Sequence, residues 1–247
     1  MKKNKISKNW VNKQRRDIYV RQSKVEGYRA RSAYKLIEID EKFKVFKGGI
    51  SILDIGAAPG SWSQYASKVE GYRARSAYKI KEIDEKFKIF KGGMSVVDIG
   101  AAPGSWSQYV TKVVKNGKII SIDLKIMDEI ENTVQIKGDF IETNTQDKIK
   151  SHLNKKLDVI MSDMAVNTTG IKNIDSIQTG ELCKEAMIFS KDMISKKGFF
   201  ISKIFMGGSF NEIVALAKKI FKEVKVFKPK SSRKDSKESF IICKNIR

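Results

Sequence analysis

The chain has 247 residues, 41% of them hydrophobic, so it is long enough to bury one substantial core. Its 49 Lys and Arg against 28 Asp and Glu give a formal net charge of +21, which favours a polyanionic partner over a merely solvated surface. One histidine and two widely separated cysteines, Cys183 and Cys243, argue against a disulfide scaffold, a metal site and histidine-based catalysis.

The first 24 residues are strongly basic. They hold nine Lys or Arg and one acid, interleaved with Trp10 and Tyr19, a mixture suited to phosphate contacts and to stacking on bases. Residues 1–8 could equally form a basic tail without specific geometry. No apolar signal segment follows the start, and no window of about 18 apolar residues occurs. We therefore expect a cytoplasmic protein without a membrane span.

The next part of the sequence contains one segment that occurs twice in tandem. Residues 25–68 recur as residues 69–112, and the two copies differ at 8 of 44 positions. Solenoid arrays need about three or more repeats to stack, whereas here two copies are followed by unrelated sequence. We interpret the segment as a recent internal duplication within one domain.

Each copy predicts a helix, a strand and a second helix. In SAYKLIEIDEKF and SAYKIKEIDEKF, apolar residues recur at helical spacing. These residues are Leu36, Ile39 and Phe43 in one copy and Ile80, Ile83 and Phe87 in the other. After a Gly-Gly turn, ISILDIG or MSVVDIG predicts a short buried strand, and Ala-Ala-Pro-Gly leads into a helix beginning near Trp62 or Trp106.

Strands and helices alternate beyond the second copy. The sequence predicts strands at 118–123, 134–140, 157–163, 198–205, 223–228 and 238–244, and helices at 178–195 and 210–221. Such alternation is typical of a mostly parallel, doubly wound α/β sheet. The last two strands are joined by a polar loop too short for a crossover helix, so we expect them to pair antiparallel.

The strand ends carry the residues of a nucleotide-type site. A strand ending in Asp-x-Gly before a glycine turn brings backbone N–H groups close to a ligand, while phosphate-binding glycine signatures are absent. Asp123 ends the next strand, where a carboxylate can accept both ribose hydroxyls, and Asp139 ends the third. Each carboxylate alone could equally be a solvated strand end or a helix cap. Their ordered occurrence favours S-adenosylmethionine as the ligand.

Asp163 and Lys203 follow on two further strands. Adjacent parallel strands would bring these two side chains to one edge of the sheet, facing the donor. A lysine between Ile201 and Ile204 in a buried strand is costly unless it is paired or neutral. The alternative is that Lys203 pairs with Asp163 for stability only.

These motifs together resemble those of the FtsJ-type ribose 2′-O-methyltransferases of bacterial 23S ribosomal RNA. The resemblance extends from Asn9 to Ile246, apart from one copy of the repeat. It rests on RSAYK, DIGAAPGSWSQY, SIDL, KGDF, SDMA, SKIF and SSRKDSKESFI. It implies a Rossmann-like fold, S-adenosylmethionine as methyl donor, and a uridine of the large-subunit RNA as substrate, presented on an assembled particle. We also expect a monomer.

The resemblance implies specific site residues. The catalytic set would be Lys79, Asp163, Lys203 and Glu238. The donor site would be lined by Gly104, Trp106, Asp123, Asp139 and Asp163. Whether Lys203 deprotonates the ribose hydroxyl or only positions it stays open.

Two residues depart from the family pattern. Val166 stands where the family usually has proline, which removes a rigid φ beside the catalytic loop. Ser105 replaces a glycine at a helix start, where serine is compatible with a nearby donor. The duplication and Val166 favour, mildly, an alternative in which the protein is a catalytically impaired RNA-binding assembly factor. A methyltransferase for small molecules or proteins would leave the basic charge unexplained.

The second copy is preferred as the working one, because its last helix leads directly into the strand of Asp123. That preference places Lys79, Gly104 and Trp106 in the site, over Lys35, Gly60 and Trp62. The expected organisation is an RNA-contacting segment at 1–24, a surplus copy at 25–68 and a methyltransferase domain at 69–247. A hybrid, with the helix of Lys35 docked on the strand of the second copy, stays open.

Overall fold

The computed structural model describes residues 16–46, 52, 54–56, 58–69, 71–165, 172–232 and 236–247. Val166, singled out above, lies outside the described residues. The chain divides into two compact units, Met1–Arg75 and Ser76–Arg247. Within the described residues, no helix combines the length and apolar character needed to cross a bilayer.

The described residues of the first unit form three helices, α1 (Ile18–Val25), α2 (Ser32–Phe43) and α3 (Ser61–Val69). Asp17 caps α1, because its side chain accepts hydrogen bonds from the backbone N–H groups of Tyr19 and Val20. A small cluster of buried residues, Tyr28, Ala33 and Tyr34, forms the core of this unit.

The second unit contains a seven-stranded sheet and five helices among its described residues. The strands are β1 (Ser95–Ile99), β2 (Lys118–Asp123), β3 (Thr133–Lys137), β4 (Leu157–Ser162), β5 (Ile194–Phe205), β6 (Phe221–Phe227) and β7 (Glu238–Ile246). The helices are α4 (Ala77–Phe87), α5 (Ser105–Val113), α6 (Thr143–Ser151), α7 (Lys172–Met193) and α8 (Phe210–Ile220).

The sheet has the order β3-β2-β1-β4-β5-β7-β6. The strands β3, β2, β1, β4 and β5 run parallel, while β7 pairs antiparallel with both β5 and β6. This topology confirms the predicted mostly parallel sheet with an antiparallel C-terminal strand. All five residues of β1 are buried, as expected for a parallel strand covered on both faces.

Apolar side chains from all seven strands and from α7 and α8 form the main core. Ile160, Phe200 and Phe221 are among the largest fully buried side chains. Each such side chain stabilises the fold by roughly 1.5–3 kcal/mol relative to an exposed position. The predicted strands agree with the observed ones except at their ends: β3 ends at Lys137 and β4 at Ser162, so Asp139 and Asp163 lie just beyond their strands.

The duplicated sequences form the same local structures. Helices α2 and α4 both end at a lysine in the left-handed conformation, Lys44 and Lys88. Asp40 and Asp84 then accept backbone N–H groups from the residues that follow each helix. The sequence within each copy therefore determines the hydrogen bonds at the end of its helix.

The burial of the two copies differs. Ile99 of the second copy is fully buried in β1, whereas its counterpart Ile55 is 86% exposed. The described residues between 52 and 60 include no strand, so the strand predicted for the first copy is not seen there. One sheet offers one position between β2 and β4, and the second copy occupies it.

Candidate active site

The turn after β1 lies close to the chain that follows β4. Gly100 has a φ of +73°, which favours glycine, and its N–H and that of Ala101 both donate to the carbonyl of Ile122 on β2. A Cβ atom added at Gly100 would lie 2.9 Å from the Cα of Met164. Glycine at this position therefore lets the turn approach Asp163 and Met164 closely.

The helix α5 begins directly after this turn. Gly104 is its N-cap residue, with a φ of +101°. Trp106 is 2% exposed, its Nε1 donates to the carbonyl of Ser76 at 3.0 Å, and its ring lies 5.6 Å from that of Phe240. The indole of Trp106 is therefore buried against protein and is not exposed to a ligand in this structure.

Asp123 and Asp139 are held by backbone N–H groups at the ends of the neighbouring strands. The two oxygens of Asp123 accept from Ala102 at 2.9 Å and from Lys125 at 2.8 Å. Asp139 accepts from Ile141 at 3.0 Å. A carboxylate oxygen can accept more than one hydrogen bond, so these contacts orient the two groups and leave acceptor capacity for a ligand.

A cavity of about 300 Å³ opens beside this turn. It is lined by Ala102, Pro103, Lys125, Ile126, Met127 and Asp128. Ala102 and Lys125 are the residues whose N–H groups bind Asp123. The predicted adenosine acceptor therefore adjoins an open space at the carboxyl edge of the sheet.

Asp98 is a fully buried carboxyl that the sequence analysis did not assign to the site. Its Oδ2 accepts from Ser107 at 2.6 Å, and Ser107 lies 2.7 Å from the hydroxyl of Ser121. Burial raises the pKa of Asp98 to about 7, an effect that the bond from Ser107 partly offsets and the charges of Asp163 and Asp123 reinforce. Among the described residues its Oδ1 has no hydrogen-bond partner.

Lys203 and Asp163 form one ion pair of the site. Lys203 lies in β5 and is 7% exposed, and its Nζ lies 2.9 Å from Oδ1 of Asp163 and 2.6 Å from the Asp163 carbonyl. Ser162 and Ser202 pair in the parallel ladder of β4 and β5, so the residues that follow them, Asp163 and Lys203, lie side by side. The burial of the ammonium is thereby compensated by a carboxylate and a carbonyl.

Lys79 and Glu238 form the second ion pair. Lys79 lies in the first turn of α4, Glu238 is the first residue of β7, and their side-chain atoms lie 2.5 Å apart. Both side chains are 14% exposed. The Nζ of Lys79 also lies 5.8 Å from the centre of the Phe240 ring.

The strand register brings the two ion pairs together. Lys203 pairs with Phe240, and Phe205 pairs with Glu238, in the antiparallel ladder of β5 and β7. Residues two apart on a strand share a face, so Lys203, Phe240 and Glu238 lie on the same face of the sheet. Diagonal neighbours in such a ladder lie roughly 7–8 Å apart. The structure therefore brings together all four residues predicted as catalytic.

The counterparts in the first copy have different surroundings. Lys35 is exposed and belongs to the first unit, whereas Lys79 belongs to the second unit with the other three catalytic candidates. Trp62 is 39% exposed and donates to the carbonyl of Ser32, within its own copy. The helix of Lys35 packs with α3 of the same copy.

Glu82 is a further charged residue close to the four catalytic candidates. Glu82, one turn after Lys79 on α4, accepts hydrogen bonds from the loop between β6 and β7. Neither Glu82 nor Asp98 was predicted as a site residue from the sequence; an acid inside an apolar strand was the available signal for Asp98. In the described part of the chain, no group of three or more His, Cys, Asp or Glu side chains is placed to hold a metal ion.

Comparisons with known proteins identify the family of the chain. The family model for FtsJ-like methyltransferases matches residues 28–71 and again residues 72–246. The chain is 60% identical to ribosomal RNA large subunit methyltransferase E of Pelagibacter ubique over the full length of both. It is 40% identical to the enzyme of the same name from Rickettsia akari, covering 97% of this chain and 88% of that one. A crystal structure of a ribosomal RNA methyltransferase from Plasmodium falciparum superposes with a TM-score of 0.65, at 37% identity, over 71% of this chain and 98% of that one.

Proposed function

Because the chain belongs to the FtsJ-like methyltransferase family, we propose that it transfers a methyl group from S-adenosylmethionine to the ribose 2′-hydroxyl of a uridine in 23S ribosomal RNA. The observation that carries the proposal is the ion pair between the buried Lys203 and the partly buried Asp163, beside the glycine turn at the carboxyl edge of the sheet. The large ribosomal subunit is the proposed substrate particle, and the cytoplasm is the proposed location.

The residues at this edge fit the methyl donor. S-adenosylmethionine carries two positive charges, on its sulfonium and its amino group, and supplies an electrophilic methyl group. Four carboxyl groups lie at or just beyond the strand ends: Asp98, Asp123, Asp139 and Asp163. Gly104 and the backbone of Trp106 begin α5 beside them. An acidic edge next to a close glycine turn suits a cationic nucleoside.

Lys203 and Asp163 are suited to act on the ribose hydroxyl. Asp163 Oδ1 is buried and accepts no well-aligned hydrogen bond from the described residues, although Lys203 Nζ lies 2.9 Å away. A hydroxyl that donates to this oxygen would be oriented by the carboxylate and the ammonium together. As the ribose oxygen gains the methyl group, its proton would pass to the carboxylate of Asp163, while the ammonium of Lys203 would hold the oxygen in line with the donor.

Lys79 and Glu238 extend the charged surface beside this pair. Their ion pair lies on the β7 side of Lys203, where a phosphate or ribose of the bound nucleotide would approach. Lys79 would present its ammonium to that nucleotide, and the ion pair with Glu238 would fix the position of the Lys79 side chain. The net charge of +21 supports an RNA substrate, since phosphate contacts dominate the affinity of RNA-binding proteins.

The domain organisation follows from the same proposal. Residues 69–247 would form the methyltransferase domain, residues 25–68 the surplus copy and residues 1–24 an RNA-contacting segment. The boundary between the two compact units falls between Arg75 and Ser76, seven residues into the second copy. A monomer suffices for the proposed reaction, because all four catalytic candidates come from one unit.

The test uses ribosomal large subunits that lack ribose methylation. Incubated with the full-length protein and tritium-labelled S-adenosylmethionine, they should gain one methyl group on one uridine of 23S RNA, mapped by nuclease digestion and mass spectrometry. Fully methylated subunits and the Lys203→Ala variant are the controls. Tight binding of the protein without incorporation of label would contradict the proposal and support an assembly factor.

A further inference from the structure

We propose that Glu82 is a positioning residue, which holds the loop between β6 and β7 on α4 and thereby fixes the ion pair of Lys79 and Glu238. The loop comprises residues 228–237, of which 228–232, 236 and 237 are described. The inference rests on the proposed function for its catalytic consequence. The contact between Glu82 and the loop can be tested separately.

Glu82 binds two consecutive backbone N–H groups of the loop. One carboxylate oxygen accepts from the N–H of Lys230 at 2.6 Å, and the other accepts from the N–H of Ser231 at 2.9 Å. Hydrogen bonds to an ionised carboxylate are stronger than neutral ones, and two parallel bonds also fix the orientation of the loop. The loop is therefore attached to the helix that carries Lys79.

The attached loop leads directly to Glu238. The hydroxyl of Ser232, which is buried, donates to Oε1 of Glu238 at 3.2 Å. The same oxygen of Glu238 lies 2.5 Å from Nζ of Lys79. Lys79 and Glu82 are three residues apart and so lie on one face of α4. The contacts close a ring from α4 through the loop to Glu238 and back to α4.

A second set of contacts fixes the strand that enters the loop. Phe87, the last residue of α4, packs edge-on against Phe227, the last residue of β6, with ring centres 5.7 Å apart. The ammonium of Lys86 lies 4.1 Å from the centre of the Phe227 ring. The far end of α4 thus holds the beginning of the loop, and Glu82 holds its middle.

The composition of the loop indicates what the attachment is for. Its ten residues include five Lys or Arg and one Asp. Such a loop beside the catalytic pairs is suited to bind RNA phosphates. Because phosphate contacts position a nucleic acid without selecting its sequence, a fixed loop would set where the ribose lies relative to Lys203.

The duplication supplies an internal comparison. Glu38 occupies the same position in α2 as Glu82 in α4, and it is exposed. Its sequence neighbours are nearly the same, since the two helices differ only at positions 36 and 37 and their counterparts. The matched pair of variants is therefore Glu82→Gln and Glu38→Gln.

Hydrogen exchange tests the attachment itself. Glutamine keeps the shape of the side chain, but its NH2 group replaces one of the two oxygens that each accept one N–H, so the two parallel bonds cannot both form. In Glu82→Gln we expect faster exchange of the amides of Lys230 and Ser231, on the order of tenfold or more, with the amides of β7 unchanged. Unchanged exchange of the two loop amides would overturn the inference.

Kinetics test the consequence for catalysis. On undermethylated large subunits, Glu82→Gln should lower kcat/KM by on the order of ten- to a hundredfold, with the donor Kd and the melting temperature unchanged and Glu38→Gln equal to wild type. In a Lys79→Met background, the same change should cost less than about twofold, because Glu82 acts through that pair. Wild-type activity of Glu82→Gln would overturn the inference while leaving the proposed function intact. So would a loss of kcat/KM from Glu82→Gln that is as large in the Lys79→Met background as in the wild type. If the wild-type protein transfers no methyl group, the proposed function fails and the catalytic part of the inference fails with it, whereas hydrogen exchange still decides the attachment.

Discussion

Replacing Asp98 by asparagine should stabilise the protein at high pH and have little effect at low pH. Asp98 is fully buried, and its pKa rises from 3.8 to about 7. Between these values the folded protein binds more protons than the unfolded chain, so the contribution of Asp98 to stability falls as the pH rises through this window. Asparagine resembles the protonated carboxyl and carries no such dependence.

The magnitude follows from the pKa change. A shift of one unit corresponds to about 1.4 kcal/mol, so ionisation of Asp98 costs the folded state up to about 4 kcal/mol. The advantage of Asp98→Asn should therefore grow from below about 1 kcal/mol at pH 4 to about 4 kcal/mol at pH 8. Above pH 8 the difference should be constant, because Asp98 is then ionised in both states.

Urea unfolding between pH 4 and pH 8 measures this difference in stability. Hydrogen exchange of the β1 amides is the readout, because it reports on the second compact unit, which contains Asp98. Asp54→Asn is the matched control, since Asp54 makes the same bond to Ser63, at 2.7 Å, but is only half-buried in the first unit. Because the side chain of Asp54 is only half-buried, Asp54→Asn should change stability less than Asp98→Asn. Parallel stability curves for Asp98→Asn and wild type across the range would refute the reasoning.

Three further predictions concern the reaction and the glycine turn. Lys203→Ala should lower kcat by a factor on the order of 10²–10⁴ in single-turnover transfer assays while leaving the donor Kd within about twofold of wild type; wild-type turnover would contradict its catalytic role. Lys79→Met should reduce transfer at least about tenfold in the same assay, since it removes an ammonium beside the substrate, whereas Lys35→Met should not; equal losses would mean that the first copy takes part. Gly100→Ala and Gly56→Ala impose the same backbone strain, since both glycines have a φ of +73°, but only the Cβ at Gly100 meets neighbouring atoms. We expect an additional loss of about 1–3 kcal/mol for Gly100→Ala in thermal unfolding, together with lost activity, and equal destabilisation of the two variants would be the contrary result.

Most of the fold could be predicted because its signals are local. The buried strand that ends at Asp123 has the predicted bounds, and the short polar loop before β7 correctly indicated antiparallel pairing. The convergence of Asp163 and Lys203 was also predictable, since it requires only that their two strands be parallel neighbours. Asp139 lies two residues beyond its strand, because strand ends depend on tertiary contacts that the pattern does not contain.

Other features depend on contacts between distant parts of the chain. Glu82 binds amides 148 and 149 residues away, and nothing near it in sequence indicates that partner. The buried state of Asp98 depends on Ser107 and Ser121, which come from α5 and β2. An Asp-Ile-Gly motif occurs twice, and only the direct connection from the second copy to the strand of Asp123 indicated which of the two acids lies in the sheet.

The unequal burial of the two copies has an evolutionary consequence. We expect strict selection on Ile99, because its side chain is fully buried in the sheet, whereas the side chains of Ile55 and Phe43 are exposed to solvent. Exposed apolar side chains of this kind favour aggregation, so replacements by polar residues there carry a benefit rather than a penalty. The two segments should therefore diverge at unequal rates, with the earlier segment losing its apolar pattern first and the later one retaining it.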